Sequence, residues 1–323
     1  MNKRTRLAVL ALPAVLLVSA GAAAAVGARA TTHPTQPATI GTPRSGGDLD
    51  ALVDVPGPLT VDTVIGAIWE VPRSGLINLD DPKAKAAGLT DGPEPMEVLF
   101  HAVRHPVRGL YIIDTGVERA LRSDPEHAAF RGFVASAMHS EKMQVLVDTA
   151  SWLEAQKEPL VGVFMTHLHV DHITGMRDVP ASATIYTGPD EPTFRGVKNF
   201  FGQPIADRAL EGKGPIQELQ FKHDGSGLFD GVLDVFGDGS FWAIHAPGHT
   251  PGSVAYMART THGPVLFTGD ACHTSWGWNH DVEPGTYTDD RTATVRTFKQ
   301  LRAFVAKHPS IDVRLGHQKL VAN

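Results

Sequence analysis

The stretch VGVFMTHLHVDHITG, residues 161–175, constrains the fold more than any other part of the chain. An apolar run with the composition of a buried strand ends at Thr166, and His167, His169, Asp171 and His172 then fall within six positions. In an extended stretch His167, His169 and Asp171 share one face by period two, with His172 on another. A sharp turn after the strand would let the cluster supply two sets of metal ligands.

Such a set needs partners from elsewhere in the chain, and three segments offer them: HAPGHTPGS with His249, VLFTGDA with Asp270 and VRLGHQ with His317. In each, an apolar run is followed by glycine and a ligand-type residue, which places the side chain on a loop at the edge of a rigid sheet. Enzymatic zinc is held by histidine nitrogen and carboxylate oxygen, with one position left open for water or substrate. These residues supply both donor types without cysteine.

The remaining sequence predicts the scaffold. LTVDTVIGAIWEVP and MEVLFHAVRHPVRGLYIIDTG read as strands, the latter as a pair joined by a turn at HPVRG. Apolar positions at Met138, Met143, Leu146, Val147 and Trp152 or Leu153 predict a helix over residues 136–156. Strand-like SATIYTG, IQELQF, GVLDVFG, SFWAIHAPG, GSVAYMA and PVLFTGD follow, then helical RTATVRTFKQLRAFVAKH and the strand IDVRLGH. Two halves of strands with a few helices suit two sheets packed together and covered by helices.

At the N-terminus, Lys3, Arg4 and Arg6 precede an uncharged run from Leu7 to Ala28 that leads into Ala28-Arg29-Ala30. This is the layout of a secretory signal peptide over residues 1–30, cleaved after Ala30; an uncleaved membrane anchor is the alternative. Removing it takes away four basic residues and no acid, moving the formal charge from −6 to −10. So acidic a surface repels polyanions, which excludes nucleic acid as a partner and favours a small-molecule substrate. Residues 31–58, rich in Pro, Thr and Gly, read as a linker or loosely held arm before a catalytic domain over 59–323. Cys272 is the one cysteine, so no intrachain disulfide can form. As a lone thiol it is expected to be a small buried hydrophobe. The expected product is a periplasmic or extracellular protein with no stable membrane association after cleavage; the sequence leaves a homodimer open.

The HxHxDH motif, its three distant partners and the YIIDTG turn at residues 111–116 resemble the metallo-β-lactamase superfamily, from roughly Leu59 to the C-terminus. That resemblance implies an α/β fold, a four-layer αββα sandwich of two mixed sheets flanked by helices, with metals at one sheet edge. It also implies two zinc ions. His167, His169 and His249 would hold the first, Asp171, His172 and His317 the second, with Asp270 bridging them and Asp114 supporting the metal loop from behind.

A bridging aspartate sets the chain apart from true class B β-lactamases. It places the chain nearer the branch with glyoxalase II, N-acyl-homoserine lactonases and methyl parathion hydrolase, most like the last two. In that branch a hydroxide shared by metals about 3.5–4 Å apart attacks the electrophile, and Asp171 would orient it and relay a proton. The implied substrate is a lactone or carboxylic ester. Phosphotriester hydrolysis is the nearest alternative, ahead of β-lactamase, thioesterase or mononuclear iron persulfide dioxygenase activity. His273 stands roughly where homoserine lactonases carry a substrate-facing tyrosine, while Trp276 and Trp278 could wall the pocket. Phe194, Phe200 and Phe201, within residues 191–205, read either as an apolar lid or as core.

Overall fold

The computed structural model describes residues 27–321, so most of the expected signal segment lies outside the described residues. Side-chain alternation builds the layers. On the strand Gly109–Ile113, Leu110 and Ile112 face one core while Tyr111 and Ile113 face another. On Val254–Thr260, Ala255 and Met257 face a third core, and Val254, Tyr256 and Ala258 join Tyr111 and Ile113. Strands that are apolar on both faces must be covered on both, which produces helix, sheet, sheet and helix in succession.

The first sheet has eight strands in the order Thr35–Pro37, Ile216–Glu218, Thr184–Thr187, Leu160–Phe164, Gly109–Ile113, Pro93–His105, Thr60–Pro72 and Gln144–Val145. The second has six, in the order Asp312–Arg314, Gly263–Phe267, Val254–Thr260, Phe241–His245, Val232–Asp234 and Thr42–Arg44. Phe164 anchors the core between them, with its ring 4.9 Å from Tyr186, 5.2 Å from Phe241 and 5.3 Å from Tyr111. The long helix Arg291–Lys307 covers the second sheet through Phe298, Leu301 and Phe304. Among the described residues no helix is long and apolar enough to cross a membrane.

Two expectations change. The segment 136–156 is not one helix but a short helix Gly132–Ala137, a 3-10 turn Ser140–Lys142, a strand Gln144–Val145 and a helix Thr149–Glu154. Leu146 and Val147 donate to the Gly66 carbonyl, and the Asp148 side chain caps the next helix by accepting from the Ser151 amide. Edge pairing and an N-cap therefore override the helical spacing.

Residues 31–58, read as a loose arm, are part of the fold. Thr35–Pro37 pairs with Ile216–Glu218 in the first sheet, and Thr42–Arg44 pairs with Val232–Asp234 in the second. The helix Gly46–Leu52 follows, opened by a capping box between Ser45 and Asp48, and Leu49 is buried beneath the C-terminal helix. Upstream, Ala28–Arg29 pairs with Arg195–Gly196, and the Ala30 amide donates to the Phe194 carbonyl.

Candidate metal centre

The strand Leu160–Phe164 delivers the motif to the sheet edge, where the Val254 amide bonds the Thr166 carbonyl at 2.9 Å and the Tyr256 hydroxyl bonds the Met165 carbonyl at 2.9 Å. The chain then turns into the short helix Val170–Ile173, so the period-two pattern stops at His169. Asp171 and His172 consequently face a different set of partners from His167 and His169. That turn is held from below by Asp114, a non-glycine residue at φ 57°. Its carboxylate accepts from the Thr166 amide at 2.8 Å and from the Thr166 hydroxyl, and it meets His172 Nδ1 at 2.8 Å. Asp114 thus fixes which His172 nitrogen faces the site.

All seven residues expected to bind metal converge. His169 Nδ1 and His249 Nε2 approach to 2.8 Å, and donor atoms of His167, His169 and His249 all lie within 4.8 Å of one another. Asp171, His172 and His317 form a second group at the same spacing, with Asp171 Oδ2 3.3 Å from His317 Nε2. Asp270 lies between the groups: Oδ2 is 3.2 Å from His249 Nε2, while Oδ1 is 3.3 Å from His172 Nε2 and 3.2 Å from His317 Nε2. Gly316 is obligatory here, because an added Cβ would come within 2.4 Å of Asp270 Oδ1.

The electrostatics match a cation site. Burial, reinforced by neighbouring imidazoles, holds His167 well below its ordinary pKa, and burial does the same for His249. For His172, burial opposes charge but Asp270, Asp114 and Asp171 outweigh it and raise the pKa. For Asp270, burial is outweighed by His317, His172, His273 and His249, so its carboxyl stays ionised well below the usual range. His167 Nε2, His172 Nε2 and Asp270 Oδ1 are buried without hydrogen-bond partners. Converging lone pairs with nothing between them cost free energy unless a cation satisfies them, and histidine with carboxylate is the donor set of divalent metals.

The site opens into a cavity of about 540 Å³. His169, Asp171, His249, Asp270 and His317 line its floor; Trp69, Val71, Leu76, Met96, Met138 and Tyr287 are among its walls, and Phe201 and Ala30 contribute as well. Of the phenylalanines read as lid or core, only Phe201 reaches the cavity. Trp276 and Trp278 do not line it. They lie on the helix Ser275–His280, where Trp278 packs edge-on against Phe298 at 5.9 Å and Trp276 stacks on His280 at 4.3 Å. Their spacing carried no information about which way that helix turns. Cys272 is buried as expected, and burial pushes its thiol up to about 12.

Glu191 was not anticipated. Its fully buried carboxylate accepts from the Leu168 amide, between two site histidines, at 2.8 Å, and from the Thr250 hydroxyl, beside a third, at 2.6 Å. Burial raises its pKa to about 7 despite these bonds. Only its position just past the strand Thr184–Thr187 could have marked it, since its partners are a backbone amide and a hydroxyl. Glu191→Ala should cost about 1–3 kcal/mol for each buried donor left unpaired. Glu191→Gln, which keeps an acceptor oxygen, should cost less. Denaturant unfolding checks both.

Comparison with known proteins agrees with this geometry. The family model for the metallo-beta-lactamase superfamily matches residues 99–307. The N-acyl homoserine lactonase AttM of Agrobacterium fabrum is 29% identical over 223 residues, covering 68% of this chain and 81% of the relative. The gamma-lactamase MBL2 of Gibberella moniliformis is 33% identical over 177 residues, covering 50% of this chain and 70% of that protein. Among solved structures, a point mutant of B. thuringiensis AiiA with N-decanoyl-L-homoserine bound at the active site superposes with a TM-score of 0.55 at 18% identity, covering 80% of this chain and 92% of that one. The dizinc quorum-quenching lactonase AidC superposes at 0.54 with 14% identity, covering 87% and 92%. At such identities the superpositions speak for the fold, while the family match spans most of the sequence. The chain is a metal-dependent hydrolase and belongs to the metallo-beta-lactamase superfamily.

Proposed function

We propose that this protein is a dinuclear zinc hydrolase that opens lactones bearing an apolar side chain, of the N-acyl homoserine lactone class. The observation that carries this reading is the placement of two donor groups, joined by Asp270, on the floor of a mainly apolar cavity. His167, His169 and His249 would hold one ion, and Asp171, His172 and His317 the other, with Asp270 shared. Two such ions supply Lewis acidity and a water acidified to near neutrality. The chain's own residues do the rest. Asp171 borders the cavity and can hold the proton taken from water and pass it to the departing alkoxide. Asp114 and Glu191 hold the ligand loops in place, and Trp69, Val71 and Met96 exclude bulk water from the acyl side.

The test is a panel of N-acyl homoserine lactones of increasing chain length, with aryl esters and phosphotriesters beside them. Each additional buried methylene contributes about 0.8 kcal/mol, so kcat/KM should rise roughly fourfold per CH2 until the cavity is full. A protein loaded with two zinc ions that turns over phosphotriesters but no lactone would replace this reading with the phosphotriesterase one.

Export belongs to the same proposal and rests on the basic start and apolar run of residues 1–30. Cleavage after Ala30 would remove Ala28–Arg29 from their pairing with Arg195–Gly196, so processing before Gly27 fits the fold better.

A further inference from the structure

His273 carries a signature that neither substrate contact nor core packing explains. Its side chain is fully buried, and Nδ1 lies 3.1 Å from the Leu76 carbonyl oxygen. A carbonyl only accepts, so Nδ1 carries the proton, and in the neutral ring Nε2 presents a lone pair. That Nε2 has no hydrogen-bond partner and stands 3.2 Å from Asp270 Oδ2. The same oxygen lies 3.2 Å from His249 Nε2 and 3.7 Å from His167 Nε2. Donor atoms of His249, Asp270 and His273 all fall within 4.8 Å of one another.

We infer that His273 is a further ligand of the ion held by His167, His169 and His249. The inference rests on the two-ion reading of the site but not on its substrate. The Leu76 carbonyl fixes the tautomer and aims Nε2 inward, as a carbonyl does behind a metal-bound imidazole. With Asp270 the ion then has five protein donors, which suits metals that take five or six ligands as well as zinc. Asp171, His172 and His317, with fewer donors around them, would then hold the ion better placed to accept a substrate oxygen. A tyrosine at residue 273 would leave the first ion one nitrogen short.

The full-length protein, as wild type, His273→Phe and His273→Gln, is stripped and titrated with cobalt(II), and zinc retention is followed against a competing chelator. Loss of a nitrogen donor should change the visible cobalt spectrum of one equivalent and weaken that equivalent for zinc at least about tenfold, leaving the other unchanged. Superimposable spectra and equal zinc retention in wild type and variants would overturn the inference, leaving Nε2 as a protonated partner of Asp270. A wild type that binds no divalent ion would overturn it too. Unfolding of the metal-free forms checks the fold, and if the Phe variant does not fold, the Gln variant decides alone. If the cobalt spectra change but no lactone is opened, the ligand stands and the lactonase reading falls; lactone opening with unchanged spectra gives the reverse.

Discussion

Asp270→Asn should abolish lactone opening, with a loss larger than the roughly 10²–10⁴-fold that one positioned acid or base contributes, because the residue removed would be the ligand shared by both ions. In the proposed two-ion centre the substitution would act on both ions together. The Asp270 carboxylate lies within 3.7 Å of nitrogens of His167, His172, His249, His273 and His317, so its neutral form leaves five imidazoles around a weakened centre. Turnover and bound metal per chain should fall together, and retention of both ions at wild-type affinity would sink the assignment of Asp270 as the shared ligand.

The metal-free protein adds a pH signature. Asp270 is depressed below 3.8, so its contribution to stability is present above that value and lost as pH falls through its folded pKa. His172 and His317 are raised above 6.5, so their contributions are complete below that value and lost as pH rises through theirs. The difference in stability between wild type and Asp270→Asn should therefore be largest between about pH 4 and pH 6.5 and shrink on either side. Thermal melts of the stripped proteins across that range provide the check.

Asp171→Ala is the second large effect, with kcat expected to drop about 10²–10⁴-fold while the fold persists. Asp171 sits on the short helix after the motif, is partly open to the cavity and faces His317. Unlike Asp270 it is not enclosed by the core, so its removal should leave the melting temperature of the metal-free protein nearly unchanged. A variant that keeps turnover within tenfold of wild type would remove Asp171 from the proton path. One that loses its fold along with its activity would point to a structural site instead.

The seven candidate metal ligands were legible in the sequence because His167, His249, Asp270 and His317 each lie a few residues past a strand, with His169, Asp171 and His172 completing the motif that His167 opens, so local patterns carried nearly all the positional information. Asp114 was legible for the same reason, sitting at the end of Gly109–Ile113. The segment 136–156 was not, because its fate depends on Gly66, far earlier in the chain, whose carbonyl accepts from Leu146 and Val147. Trp276 and Trp278 were close to the site in sequence, but the turn at Thr274 and the packing of Phe298 decide where they point. Glu191 left no pattern, since an amide and a hydroxyl leave no mark on composition. His273 was visible as a residue, but its lone pair became apparent only beside the Leu76 carbonyl.

The N-terminal arm, residues 31–58, completes one edge of each sheet. Both sheets end in a strand from this one arm, and those two strands contain Pro37 and Pro43. Proline lacks an amide donor, so it closes a sheet against further strand addition. The prolines that made residues 31–58 read as a linker are thus the terminators of both β-ladders. A chain begun at Leu59, where the catalytic sequence starts, would leave Ile216–Glu218 and Val232–Asp234 as bare edges. Association between copies would then compete with folding, so the arm protects the solubility of an enzyme whose catalytic groups it does not supply.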